Sequence, residues 1–287
     1  MKYYEVKFTL SPYNSDVADV LAAMAGEVGF ESFEDTDDGM KGYVQQQLFD
    51  RGQLDDMLQA FPLPTTTITY TIAEAEDRNW NEQWEQEGFD PIFVDDRLVI
   101  HDGRHLPSSD FPGMKVEIDA HMAFGTGTHE TTRMVCSTLL DLFAKSSSTP
   151  YTPRVLDCGC GTGILGIVTM LLGARECTAY DIDEWSVDNT SHNAVINQVE
   201  LTPLQGDASI LNNVEGTFDL IMANINRNIL LADMPAFRQK MAPGAHLILS
   251  GFYTEDIPLL TEKATTLGLS LVAQREEHGW SCIVLIL

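Results

Sequence analysis

Basic side chains are scarce in this chain. Only 17 lysines and arginines stand against 43 acidic residues in 287, for a formal charge of −26. Such a surface repels phosphate backbones and argues against direct nucleic-acid binding. It would attract a basic protein, although acidic faces also serve plain solubility. Long apolar runs are missing too: none approaches the ~20 residues of a membrane helix, so no membrane association is expected. The opening Met1-Lys-Tyr-Tyr-Glu-Val alternates like a strand and lacks the apolar segment of a signal peptide. Cysteine is sparse, with five residues and no repeated pair spacing. That argues against a disulfide framework and supplies no metal-ligand pattern. The expectation is a cytoplasmic protein with reduced thiols and no metal. There is no internal repeat and no low-complexity tract.

Glycine, in contrast, is concentrated where it matters. In Arg154-Val-Leu-Asp157-Cys-Gly159-Cys-Gly161-Thr-Gly163 an apolar strand ends in a carboxylate, and glycines follow at every second position before a helix-like run. That spacing lets the backbone turn sharply and approach a nucleotide, with helix N–H groups aimed over the loop. Two cofactor readings overlap. Gly161-Thr-Gly163-Ile-Leu-Gly166 fits a dinucleotide fingerprint, with Asp181 20 residues after Gly161. Asp157 to Gly163 fits the S-adenosylmethionine loop of class I methyltransferases. The dinucleotide reading places a carboxylate beside a pyrophosphate, which is unfavourable, whereas a carboxylate near a sulfonium is favourable. Adenosylmethionine is therefore preferred, with Asp157, Gly159, Gly161 and Gly163 as the loop contacts.

Three segments divide the chain. Residues 1–75 read as strand, helix, two strands, helix, strand, the βαββαβ order of a ferredoxin-like α+β domain. It has no cluster of catalytic residue types, so substrate recognition is its expected role. Residues 76–105 form a connector in which Trp80 and Trp84 share one side of a short helix. Residues 106–287 form the third segment; after an extended stretch over 89–124 they alternate helix and strand from about residue 129 and finish in two strands, 269–274 and 281–287, separated only by Arg275–Trp280. That gap is too short for a crossover, so these strands pair antiparallel. A doubly wound, mostly parallel sheet ending in an antiparallel hairpin is the class I methyltransferase architecture.

Two further segments flank the loop. Met122-Ala-Phe-Gly-Thr-Gly-Thr-His129-Glu-Thr-Thr132 enters a helix, and Met222-Ala-Asn224-Ile-Asn226 ends a strand at the ligand crevice. With Asp157, Gly159 and Asp181 they resemble one family closely, the methyltransferases of large-subunit ribosomal protein L11. The motifs that carry it are Ala-Phe-Gly-Thr-Gly-Thr-His, Asp-Cys-Gly-Cys-Gly-Thr-Gly-Ile-Leu, Tyr-Asp-Ile-Asp and Ala-Asn-Ile. The resemblance implies an N-terminal domain that grips ribosomal protein L11. It implies a C-terminal domain that moves methyl groups from S-adenosylmethionine to lysine side chains and an α-amine. By the same resemblance Thr132, Gly159, Asp181 and Asn224 contact the cofactor. Asp181 would take the ribose hydroxyls, Asp207 the adenine amino group, and Asn224 would also orient the amine as the catalytic residue. The family pattern has Pro-Gly where this chain has Ala120-His121, and Leu where it has Asn226. No Asn-Pro-Pro-aromatic motif follows Asn224, which argues against nucleobase and glutamine targets. A small-molecule amine methyltransferase and a non-catalytic ribosome-assembly module are the alternatives.

Overall fold

The computed structural model describes residues 3–13, 15–36, 38–46, 48–63, 66–75, 88–120, 125–144 and 151–287, with no side-chain placement for residues 15, 16, 19, 23, 27 and 35. The Trp80–Trp84 helix, His121 and the Met122–Phe124 end of the upstream motif lie outside the described residues. The chain divides into two compact units, Met1–Trp80 and Asn81–Leu287.

In the first unit β1 (Tyr3–Ser11), α1 (Ser15–Glu27), β2 (Phe30–Thr36), β3 (Gly39–Gln45), α2 (Arg51–Gln59) and β4 (Thr67–Glu74) follow in order. Alternation in β1 buries Val6, Phe8 and Leu10 on one face, against Leu21 and Ala25 of α1 and Leu54 and Met57 of α2. Asp50 starts α2 by accepting the N–H groups of Gly52 and Gln53. The sheet order is β2-β3-β1-β4, with every pair antiparallel, which is the split βαβ arrangement. The β2–β3 hairpin carries acidic side chains. There Glu34 accepts the Tyr43 hydroxyl at 3.1 Å and Asp38 pairs with Lys7 at 3.1 Å.

The second unit begins with a small sheet that the sequence did not reveal. It comprises β5 (Ile92–Val94), β6 (Leu98–His101) and β7 (Met114–Glu117), with β6 antiparallel to β5 and parallel to β7. A boundary at 105/106 passes between two paired strands, and Leu98 and Ile100 share a core with Val116 and Met134. Residues 88–105 are thus part of this unit and not a free connector, because strand pairing ties them to β7 and apolar burial ties them to Met134.

Next come α3 (Glu130–Ala144), β8 (Arg154–Cys158), α4 (Ile164–Leu171), β9 (Glu176–Asp181), α5 (Glu184–Ile196) and β10 (Thr202–Gln205). A 3₁₀ turn (Ala208–Asn213) leads to β11 (Phe218–Asn224), α6 (Arg227–Lys240), β12 (Met241–Tyr253), α7 (Ile257–Thr266), β13 (Ser270–Glu277) and β14 (Trp280–Ile286). The strand order is β10-β9-β8-β11-β12-β14-β13. All pairs from β10 to β12 are parallel, and β14 runs antiparallel to both of its neighbours. Both faces are covered. Val155, Leu220, Met222 and Ile248 pack with Leu139 and Ile167 on one side. Leu156, Ile221, Leu247 and Ile283 pack with Leu230, Phe237 and Leu260 on the other. The order reverses between β8 and β11, so the crevice at their carboxyl ends is the place for a ligand.

Candidate active site

The loop after β8 is built as its glycines require. Gly159, Gly161 and Gly163 take φ values of +69°, +54° and +80°, a region that side chains with a Cβ disfavour. A Cβ on Gly159 would come within 2.4 Å of Ile225, and one on Gly163 within 2.9 Å of Thr190. The loop therefore lies against the turn after β11 and against α5.

Asp157 closes β8, as its place before the glycines implied. Its side chain is buried beneath the loop, where one oxygen accepts the Gly166 N–H at 2.9 Å. That bond satisfies an orphan donor at the start of α4. The carboxyl therefore occupies the helix N-terminus that a pyrophosphate would need, which removes the dinucleotide reading. Its visible role is to support the loop through the Gly166 bond. Burial pushes its pKa up to about 7 from the usual 3.8, opposed by the Gly166 bond and aided by the Asp181 charge. A carboxyl raised in this way keeps its proton longer folded than unfolded. Its stabilising contribution is full at low pH and is lost as pH rises through about 7. Asp157→Asn retains an acceptor for Gly166 without the charge. It should gain stability relative to wild type above neutrality and little at about pH 5. Urea midpoints at about pH 5 and about pH 8.5 check this, and parallel midpoints for the two proteins would reject it.

The remaining candidates surround the crevice. Asp181 ends β9, accepting the Gly161 N–H on one oxygen and the Asp183 N–H on the other, both at 3.0 Å. Each oxygen retains a further lone pair for ribose hydroxyls. Asp207, exposed after β10, caps the 3₁₀ turn; hydrogen bonds from Ser209 hold its carboxyl below the usual range. Asn224 ends β11, and its side-chain amide N–H points at Thr132 Oγ1, 3.5 Å away. Its Oδ1 is buried and has no hydrogen-bond partner. Thr132 itself is fully buried in the first turn of α3, so its visible role is to orient Asn224. Ile225 rests on the loop by its side chain, and a Cβ on Gly251 would strike the Ile225 carbonyl at 2.4 Å. Burial raises the pKa of all five thiols, to about 12 for Cys136 and Cys282. They are inert fillers of the core.

The family model described as ribosomal protein L11 methyltransferase matches residues 19–286. The chain belongs to that family. A ribosomal protein L11 methyltransferase of Phocaeicola vulgatus is 48% identical over 290 residues, covering 100% of both chains. One of Porphyromonas gingivalis is 42% identical over 289 residues, covering 99% of this chain and 97% of that one. The crystal structure of ribosomal protein L11 methylase from Lactobacillus delbrueckii subsp. bulgaricus matches with a TM-score of 0.61 at 24% identity, over 69% of this chain and 98% of that one. The fold is that of class I methyltransferases.

For a member of the ribosomal protein L11 methyltransferase family, two departures have visible settings. Asn226 is the N-cap of α6 and accepts the Ile229 N–H at 3.1 Å, a bond leucine cannot make. Ala120 is buried in the core beneath the small sheet. Sequence reasoning missed Thr162, Thr190 and Asn193, all fully buried at the loop. Asn189 and Asn193 of α5 and its C-cap Asn197 recur every fourth residue, and a polar stripe on a helix beside a sheet was the available signal.

Proposed function

We propose that this chain transfers methyl groups from S-adenosylmethionine to lysine side chains and the α-amine of ribosomal protein L11, in the cytoplasm. The observation that carries the reading is the buried, unpartnered Oδ1 of Asn224 at the switch point of a class I methyltransferase sheet. The same sheet supports Asp181 at the end of β9 and the glycine loop after β8. Asp181 would hold the ribose hydroxyls, Asp207 the adenine amino group, and the loop backbone would line the amino-acid portion. S-adenosylmethionine supplies an electrophilic methyl group on its sulfonium.

The chain's own task is to present a neutral amine in line with that methyl. A lysine with a pKa near 10.4 is mostly protonated in water and has no lone pair. Desolvation in the crevice favours the neutral form. Asn224 Oδ1, free to accept an amine N–H, then turns the lone pair toward the cofactor side, and alignment supplies much of the rate. Residues 1–75 are assigned to recognition of the substrate protein. The test is methyl transfer from isotope-labelled S-adenosylmethionine to purified ribosomal protein L11, mapped by peptide mass spectrometry. Label on lysine and α-amine nitrogens is expected. Absence of label in the protein, with transfer to a small amine, would overturn the reading.

A further inference from the structure

We propose that Thr162 and Asn193 are positioning residues that hold the amine-binding side of the site in register with the cofactor loop. The inference rests on the methyl-transfer reading above. Thr162 lies between two loop glycines, and its hydroxyl donates to the Gly125 carbonyl at 2.6 Å. Gly125 has a φ of +108°, and a Cβ there would sit 2.9 Å from Thr162 Oγ1. The contact is thus as close as glycine allows. From Gly125 the chain runs through Thr126 and Thr128, whose hydroxyls are 2.8 Å apart, into α3 and to Thr132, the neighbour of Asn224.

Asn193 makes the second tie. Its side-chain N–H donates to the Thr162 carbonyl, and its Oδ1 accepts the Asp119 N–H, each at 2.9 Å. Asn189 completes the pairing by donating to the Asp119 carbonyl at 2.8 Å. One turn further, Asn197, the C-cap of α5, exchanges two bonds with the Glu117 backbone, at 3.0 and 2.7 Å. The asparagines thus replace a neighbouring strand for residues 117–119. Residue 119 and residue 125 are both fastened to Thr162, one through Asn193 and one directly. Asn197 makes the same kind of bond to the strand but does not reach the loop. Among the described residues Thr162 and Asn193, both fully buried, link the two halves of this arrangement, with Thr190 adding a bond from α5 to the Gly161 carbonyl.

Misplacing reacting groups by about 1 Å costs on the order of a hundredfold in rate. Thr162→Val keeps the shape and removes the donor. With the full chain and ribosomal protein L11 as substrate, kcat should fall roughly ten- to hundredfold while the Kd for S-adenosylmethionine, by calorimetry, changes less than about threefold. Thr162→Ser should restore most of the rate, because it restores the donor. Asn197→Ala should lower Tm but leave the kcat of the folded enzyme near wild type. If Thr162→Val does not fold, Thr162→Ala is measured in the same way. Wild-type kcat in the Thr162 variants, a loss of rate matched by equal loss of cofactor affinity, or no rescue by serine would each overturn the proposal. A wild-type chain that binds the cofactor but methylates no ribosomal protein L11 would instead overturn the substrate assignment.

Discussion

Asp181→Ala is expected to abolish measurable binding of S-adenosylmethionine while the second unit stays folded. The carboxylate stands at the end of β9 with an open lone pair on each oxygen, beside the loop that it steadies through Gly161. Charge-assisted hydrogen bonds are worth about 1.5–3 kcal/mol each, so losing two weakens binding by more than about a hundredfold. Asp181→Asn keeps one acceptor and should lie between. Calorimetric titration measures all three, with circular dichroism to confirm the fold. An alanine variant that binds as tightly as wild type would place the ribose elsewhere. Titration with a nicotinamide dinucleotide should give no heat of binding, given the Asp157 carboxyl at the start of α4.

A truncated chain beginning at Asn81 should keep its cofactor affinity and lose most of its activity on ribosomal protein L11. The unit it lacks, Met1–Trp80, carries 15 acidic and 5 basic side chains and has its own core. Electrostatic recruitment acts mainly on the association rate and is screened by salt. Activity of the full chain should therefore fall between low and moderate salt more steeply than cofactor binding does. Turnover of the intact protein by the truncated chain at the full-length rate would reject a recruiting role. The starting residue matters. A cut near residue 105 would remove β5 and β6, stripping Leu98 and Ile100 from the core shared with Val116 and Met134, and that fragment should be unstable for reasons unrelated to substrate.

Elements whose patterns agree at several levels were legible in the sequence. The glycine loop and the terminal hairpin both combine residue type, spacing and length, and both are present. Asp181 and Asn224 could be placed at the ends of their strands, which face the crevice in this fold. What escaped notice was decided by tertiary context. β10 carries Pro203 and no apolar alternation, and forms because β9 offers a free edge. β12 runs for 13 residues through Pro243, Gly244 and Gly251, which read as interruptions. Asp157 was read as the acid closing the strand before the loop, and it stands there, but a sequence does not say on which side of a strand end a carboxyl is buried. The asparagines Asn189, Asn193 and Asn197 drew no attention because their partners, the backbones of Glu117, Asp119 and Thr162, carry no side-chain signature.

The placing of β14 between β12 and β13 bears on how the molecule comes to be made. Every parallel strand from β8 to β12 precedes it in the chain, yet one edge of β12 has no partner until β14 arrives. Ile283 and Leu285, fully buried, plug the core over α6 and α7. During synthesis the growing chain thus exposes an apolar strand edge until the last hairpin forms and docks as one piece. Pairings of this long reach are slow and leave partly built sheets open to association with other chains. A nascent protein of this design has reason to be shielded by chaperones during that interval, even though the finished sheet has its edge at the short β10 and the bulged β13.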